Sequence, residues 1–350
     1  MNRSIILYTA AGIVVFSIAY FMILKPFNNS SGFVKALDAS VEEFDRSYRN
    51  HHSSNSIVIS DTTTLFQPAH VRKFKNKIYV SDFSDYTIYE YDVDGRVTRT
   101  IETGKGEGPG EFINLTDFDI INDRLLAVDS QSLRITSISL NTGEVLKSIS
   151  VDRRPYRITC LKDGFIVNWL GNEMLFSKFD YEGNELFEFG KVIEDQLRHV
   201  LSVSGTIRSN RHDNFVYIPS YASLIYFYNG EGELINILKA PDGLEFPVTK
   251  REGAVSSAPD FSFYRDGYIN ENNKLYVYTN LPGTRTDNGE WEGDSLSVID
   301  KYDLVTGSYE ASIVLPFMHS SAMYDPETNS LFTSNWEKAF KHLLGDDVEF

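Results

Sequence analysis

Hydrophobic and polar positions fall into three regimes along the chain. From Ile5 to Leu24 the run IILYTAAGIVVFSIAYFMIL carries no charge. As a helix rising about 1.5 Å per residue it would span roughly 30 Å, the thickness of a bilayer core, and it predicts a transmembrane helix over 5–24. Residues 25–55 read as a linker and stalk. Asn28 to Gly32 is a flexible segment, and Phe33, Leu37, Val41, Phe44 and Tyr48 then recur at helical spacing, which predicts a short amphipathic helix. From residue 56 to 350 the pattern changes to short β-rich runs separated by polar turns.

The β region repeats. An apolar strand, a small polar turn, a second strand, a turn ending in Gly and a third strand recur in order. The first copy runs from Ile78-Tyr79-Val80-Ser81-Asp82 through Thr87 to Asp92 and Asp94-Gly95 to Val97–Ile101. Later copies start at Leu125, Phe165, Phe215 and Leu275, with turns Thr142-Gly143, Glu182-Gly183, Glu231-Gly232 and Thr306-Gly307. A sixth starts at Leu331 and runs out at the end of the chain without its last strand. Each copy is preceded by one more strand, for example His70 to Phe74 or Tyr156 to Leu161. Four-stranded units spaced about 40–60 residues apart are propeller blades. Ser56-Ile57-Val58-Ile59-Ser60 has no unit of its own, and the sixth copy lacks an outer strand. Pairing the two closes the ring and hides the strand edges. The expected fold is therefore an all-β, six-bladed β-propeller of four-stranded blades, closed by its N-terminal strand and preceded by one transmembrane helix.

The segment Gly104-Lys105-Gly106-Glu107-Gly108-Pro109-Gly110-Glu111-Phe112 resembles the turn between blades in NHL-repeat propellers. In that family a Gly-rich turn ends in an acidic residue or Gln followed by Phe. The segments ending in Asp82 and Asp129 resemble the family's next element. The resemblance covers about residues 56–350 and is clear only once, between blades one and two. It implies a six-bladed propeller of the kind common among bacterial envelope proteins. It does not choose a function, because such folds host ligand binding, protein interaction and lyase or hydrolase activities. The Gly run does not match a phosphate loop, and Glu107 and Glu111 would repel phosphate.

Composition adjusts this picture in a few places. A cleaved signal peptide is the competing reading of the N-terminus, but Tyr20-Phe21-Met22-Ile23-Leu24 puts bulky residues where a cleavage site needs small ones. Arg3 and Lys25 flank the run, so the charge bias is weak. The short N-terminal tail favours export of the large domain, to an extracytoplasmic position. The net charge of −16 argues against a nucleic-acid surface, since both would be polyanions. The single cysteine, Cys160, cannot form an intramolecular disulfide. The 20 Tyr and 24 Phe suit strands.

Two places could hold a site. Call the strands of a blade A to D from the channel outward. The segments Lys191 to Gly205, Pro241 to Pro259 and Leu281 to Asp294 are long insertions, all on the face of the B–C turns and D–A connections. Loops on a rigid scaffold commonly carry binding, so that face is expected to meet a protein partner or small ligand. Trp169 and Trp336 at the ends of B strands, Trp291 in the blade-five insertion and Tyr221 in the blade-four turn fall there, as aromatics that stack on a ligand or as caps on the blades. The second place is the channel, where the A strands bring His70, Arg72, Asp117, Asp119, Arg157, Arg208, Tyr264 and His319. Asp117 and Asp119 alternate and so share one side of their strand, a weak start for a metal site of the Ca²⁺ type. The first reading is a membrane-anchored, non-catalytic binding or interaction propeller. The alternative is a metal-dependent hydrolase or lyase in the channel. Three or more carboxylate, Asn or His groups converging there would favour the enzyme, and a channel plugged by Tyr and Phe would oppose it.

Overall fold

The structure, a computed structural model, describes residues 48–49, 55–60, 65–172, 174–190, 204–242, 264–285, 291–293, 295–315, 321–325, 328–335 and 337–343. Residues 5–24, and the stalk up to residue 47, lie outside the described residues. Among the described residues no helix is long and apolar enough to cross a membrane.

Two short strands come first, β1 (Tyr48–Arg49) and β2 (Asn55–Ser60). Six antiparallel sheets follow. Blade one is β3 (Pro68–Phe74), β4 (Lys77–Asp82), β5 (Ile88–Asp92) and β6 (Val97–Ile101). Blade two is β7 (Leu115–Ile121), β8 (Arg124–Asp129), β9 (Arg134–Ser139) and β10 (Val145–Ser150). Blade three is β11 (Pro155–Cys160), β12 (Phe165–Trp169), β13 (Phe176–Phe179) and β14 (Glu185–Phe189). Blade four is β15 (Gly205–Ser209), β16 (Asn214–Pro219), β17 (Leu224–Asn229) and β18 (Leu234–Lys239).

Blade five is β19 (Tyr264–Ile269) and β20 (Lys274–Leu281), then the small hairpin β21 (Thr284–Arg285) and β22 (Trp291–Glu292), then β23 (Leu296–Asp303) and β24 (Ser308–Leu315). Blade six is β25 (Ser321–Asp325), β26 (Ser330–Asn335) and β27 (Lys338–Leu343). Its outer strand is β2, with Ile57 opposite Lys341 and Val58 opposite Phe340. The unmatched N-terminal strand thus completes the sheet that lacked one. At Tyr48 the helical expectation is corrected. Tyr48 and Arg49 run parallel to β24, opposite Ser312 and Ile313, as a fifth strand on the edge of blade five.

Burial follows position in the blade. The B strands are covered on both faces by neighbouring blades, so β4 and β8 are buried almost throughout. Outer strands such as β6 are mostly exposed, Val97 included, and bury only Ile101. The core is divided among the junctions between blades. One cluster joins Ile120 and Leu125 of blade two to Tyr79 and Ile88 of blade one, and each further junction has a cluster of its own. The closing junction sets Met323 and Phe332 of blade six against Val71, Ile78 and Val80 of blade one. Burying such side chains is worth about 1.5–3 kcal/mol each, so closure is a packed interface as well as a strand pairing.

Two repeat signals have a physical basis. Asp82 and Asp129 end their B strands fully buried. Asp82 Oδ2 accepts the Phe66 and Gln67 amides, and Oδ1 accepts the Ser84 amide at 2.7 Å. Asp129 does the same for Ile113, Asn114, Gln131 and Ser132. Each carboxylate ties the incoming D–A connection to the outgoing B–C turn. Burial pushes the Asp129 carboxyl up, but these donors hold it below its ordinary value. In the Gly-rich turn the Phe112 amide donates to Gly104 O at 3.0 Å, and Phe112 is fully buried. Gly106, at φ 152°, lies where a Cβ would meet the Glu111 carboxylate, and Glu111 Oε2 accepts the Gly108 amide at 2.8 Å. The run is a structural turn.

Candidate functional site

Each A strand runs from the D–A face to the A–B face, so successive residues line the channel in layers. The outermost layer on the D–A side holds His70 and Arg157. His70 Nε2 lies 2.9 Å from Thr116 O, and Arg157 Nη1 donates to the same carbonyl at 2.6 Å. Arg157 also stacks on Tyr156, 4.0 Å from the ring centroid. Burial pushes His70 down to about 3, outweighing the pull of Asp117 in the other direction, so its imidazole is neutral.

The middle layer is a closed ring of charge. Arg72 Nη2 donates to Asp117 Oδ1 at 2.5 Å, and its Nη1 lies 3.4 Å from Asp266 Oδ2. Arg208 Nη2 is 2.7 Å from Asp266 Oδ1, and its Nη1 is 3.3 Å from Asp117 Oδ2. Each guanidinium bridges both carboxylates, and all four side chains are buried. The other two blades join through neutral donors. The Ile158 amide of blade three reaches Asp117 Oδ2, and Ser321 Oγ of blade six donates to Asp266 Oδ2 at 2.6 Å. The innermost strands of all six blades therefore meet in one network. Burial raises the Asp117 carboxyl, but Arg208 and Arg72 overcome that and hold it well below the usual carboxylate range. Asp266 is held low in the same way.

The third layer opens to the A–B face. Asp119 shares the side of Asp117, as its alternation predicts, and reaches blade three. Its Oδ2 accepts the Cys160 amide at 2.8 Å and Thr159 Oγ1 at 3.1 Å. Beyond it a chamber of about 110 Å³ is lined by Arg72, Asp119, Arg208, Arg211 and Tyr268 among others. It adjoins an open bowl of about 580 Å³, with which it shares Lys73, Arg211, Tyr268 and Glu271. The A–B turns form the rim. Lys73 pairs with buried Asp325 at 2.5 Å, and Arg211 donates to Lys73 O at 2.5 Å.

The expected site residues divide as follows. His70, Arg72, Asp117, Asp119, Arg157 and Arg208 all face the channel. The oxygens of Asp117 and Asp119 accept from guanidiniums, backbone amides and the Thr159 hydroxyl, and among the described residues no three His, Cys, Asp or Glu side chains form a group that could hold a metal ion. The plug is not aromatic but an ion-pair ring of two guanidiniums and two carboxylates. Trp169, expected either to stack on a ligand or to cap its blade, is buried. It is 1% exposed, and its Nε1 donates to Ser177 Oγ at 2.7 Å. It pairs with Pro155 as Asp82 pairs with Pro68 and Asp129 with Leu115, so it occupies the position of those aspartates. Tyr221 is half-buried in the blade-four B–C turn. Trp291 lies on β22, and Tyr264 starts β19. Trp336 and His319 lie outside the described residues, as do most of the three insertions. Asp266 and Arg211 were missed, although Asp266 follows Tyr264 by the two-residue step that relates Asp117 to Leu115.

Sheet order, closure and a channel lined by six A strands define the class as a six-bladed propeller. The chain belongs to a family described as 6-bladed beta-propeller, whose profile matches residues 58–251. No curated protein sequence matches it significantly. Among solved structures it is similar to a streptogramin B lyase, with 13% identity and a TM-score of 0.53 over 83% of this chain and 98% of that one. It is also similar to the WD40 repeats of RRP9, with 8% identity and a TM-score of 0.54 over 85% and 99%. The WD40 propeller domain of Doa1 matches at 10% identity and a TM-score of 0.51 over 80% and 79%. At these identities the likeness is one of fold.

Proposed function

We propose that the chain is a non-catalytic binding or interaction propeller of NHL-repeat type, held at a membrane by residues 5–24 with its propeller extracytoplasmic. The observation that carries this reading is the ring of Arg72, Asp117, Arg208 and Asp266. A channel enzyme needs an acid, base or metal-holding group directed at open space. Here the four charges at the channel centre are committed to one another, and His70 beside them is neutral. Membrane attachment rests on the uncharged run Ile5 to Leu24, and the NHL assignment on Gly104 to Phe112. The rigid ring presents its surface loops to a protein partner or small ligand.

The test uses the full chain in its native membrane. A photocrosslinking side chain is placed at Tyr221, on the B–C face, and in a second variant at Leu146, on the outer perimeter. A discrete adduct from position 221 that is absent from position 146 is the expected result. Chelator-sensitive turnover of any envelope metabolite by the purified chain, lost in Asp117→Asn, would replace this reading with the metal-dependent hydrolase or lyase.

A further inference from the structure

The outer strand of a blade ends its sheet with unpaired backbone groups, a template for pairing with another chain unless something blunts it. Blades one to five each have a bulge near the start of this strand. The first residue paired beyond the bulge is Arg99, Lys147, Phe187, Asn236 or Ala311 in turn. In blades one and two a cation stands there and would repel a copy of the same strand. Blade three sets Glu185 and Glu188 on either side of Phe187, and blade five is covered by β1. Blade four has none of these devices. Its β18 is uncharged from Leu234 to Leu238, and Leu234 and Ile235 are 44% and 50% exposed. Val305, also exposed, stands beside them, because Asn236 Nδ2 donates to Leu304 O at 3.4 Å.

The same strand is self-complementary. Residues 234–238 read Leu-Ile-Asn-Ile-Leu in either direction about Asn236, and Glu233 and Lys239 flank them. Antiparallel pairing of two copies about Asn236 sets Leu234 opposite Leu238, Ile235 opposite Ile237, Asn236 opposite Asn236, and Glu233 opposite Lys239 at both ends. Apolar and opposite-charge pairs of this kind stabilise a sheet, and no like charges face each other. The uncharged β2 of blade six offers no such charge pair, since Asn55 and Asp61 stand at its ends. The backbone suits this register too. The Ile237 amide donates to Asn236 Oδ1 at 2.9 Å, just as the Ile120 and Gly267 amides on the channel edge donate to Asp119 and Asp266. Such an amide points out of its sheet, and in this register Ile237 belongs to the pairs that exchange backbone hydrogen bonds.

We infer that the chain associates as a two-fold homodimer through the outer edge of blade four, with β18 of each copy paired antiparallel about Asn236. This goes beyond the binding reading and does not depend on it. Neighbouring strands in a sheet twist by about 20–25°, so β18 is turned by about 60–75° from β15. The two-fold axis stands perpendicular to the sheet at β18 and therefore lies closer to the channel axis than across it. The two rings then sit side by side with their B–C faces on the same side. A partner with two matching sites meets both at once and gains from bivalence.

The test measures the mass of the full chain in detergent by light scattering. Physiological ionic strength is used, where repulsion between two chains of net charge −16 is screened beyond about 8 Å. The chain should run as a dimer. Asn236→Lys places a cation opposite itself, at a position where blades one and two already carry Arg99 and Lys147, and should run as a monomer with an unchanged melting temperature. Asn236→Asp should be monomeric as well, and an equal mixture of the two variants should recover the dimer, because opposite charges then meet. Asn236→Cys gives a direct readout. Facing Cα atoms of a non-hydrogen-bonded pair lie about 4.5 Å apart, within disulfide reach, and Cys160 is buried. Mild oxidation should link Asn236→Cys into a covalent dimer and leave Leu146→Cys, exposed on the perimeter of blade two, unlinked. If Asn236→Lys lowers the melting temperature, the mixture and the oxidation decide. A monomeric parent chain, a dimer that survives Asn236→Lys, a mixture that stays monomeric, or equal linking at positions 146 and 236 overturns the inference.

Discussion

Asp117→Asn is the sharpest perturbation of the channel. Asp117 accepts from both guanidiniums, at 2.5 Å from Arg72 and 3.3 Å from Arg208, and is completely buried. The ring of two Arg and two Asp is neutral. The substitution keeps the shape and leaves one buried positive charge without a partner. Removing one member of a buried pair costs about 3–5 kcal/mol, because the remaining charge cannot be solvated. The exposed pair Lys75 and Asp123 gives the comparison. Asp123→Asn removes the same kind of charge at the surface and should cost no more than about 1 kcal/mol. Urea unfolding at pH 7, followed by circular dichroism, reads both.

A cycle with Arg208→Gln separates charge balance from packing. Asp117→Asn with Arg208→Gln restores neutrality, so the double variant should be more stable than the sum of the singles by about 0.5–3 kcal/mol. The acid limb has a definite sign. The folded carboxyl of Asp117 is held below its unfolded value. Its contribution is therefore complete above about pH 4 and disappears as pH falls through the lowered folded value. A cost under about 1 kcal/mol for Asp117→Asn, or strict additivity in the cycle, would refute the claim that the ring clasps the six blades.

Other outcomes follow from the same structure. Cys160 is fully buried and burial raises its thiol well above the ordinary range, so a thiol reagent should label nothing in the native chain and one group per chain in denaturant. Deleting Asn55 to Ser60 removes the outer strand of blade six; if the ring unfolds as one unit, Cys160 in distant blade three should become labelled under milder denaturant, and unchanged protection would contradict cooperative closure. His70 is held neutral by burial, with its value lowered to about 3. Its contribution is full above about pH 6.5 and is lost as pH falls towards 3, so His70→Gln should flatten the stability profile across that window; an unaltered profile would show that another group titrates there.

The blade repeat was legible because its strands obey a local rule. B strands sandwiched between blades are apolar on both faces, and C–D turns need Gly at positive φ, so both leave marks in composition. The closing strand was legible by elimination, since Ser56 to Ser60 and the sixth copy each lacked a partner. Tyr48 was not legible. Its spacing from Phe44 is helical, but its observed partner is the edge of β24, and an edge pairing leaves no periodicity in two residues.

The site was half legible, and the reason lies in what an A strand records. Alternation told which side Asp117 and Asp119 face, and both reach blade three as that alternation requires. It could not tell what would face them. Carboxylates converging on an axis read equally as metal ligands or as partners for guanidiniums, and the choice depends on the register of strands some 45 to 90 residues away, as in Arg72 with Asp117 and Arg208 with Asp117. Trp169 shows the opposite case, where the repeat itself held the answer. Aligned on the start of its A strand it falls on the position of Asp82 and Asp129, whose side chains turn inward to tie two connections together. A residue at that position is buried by the architecture whatever its chemistry. The same alignment, applied to the A–B turns, sets Lys75 and Arg211 at left-handed positions of the kind that blades two, five and six give to Asn122, Asn273 and Asn329. In a repeat protein a residue is thus read best against its siblings in the other copies.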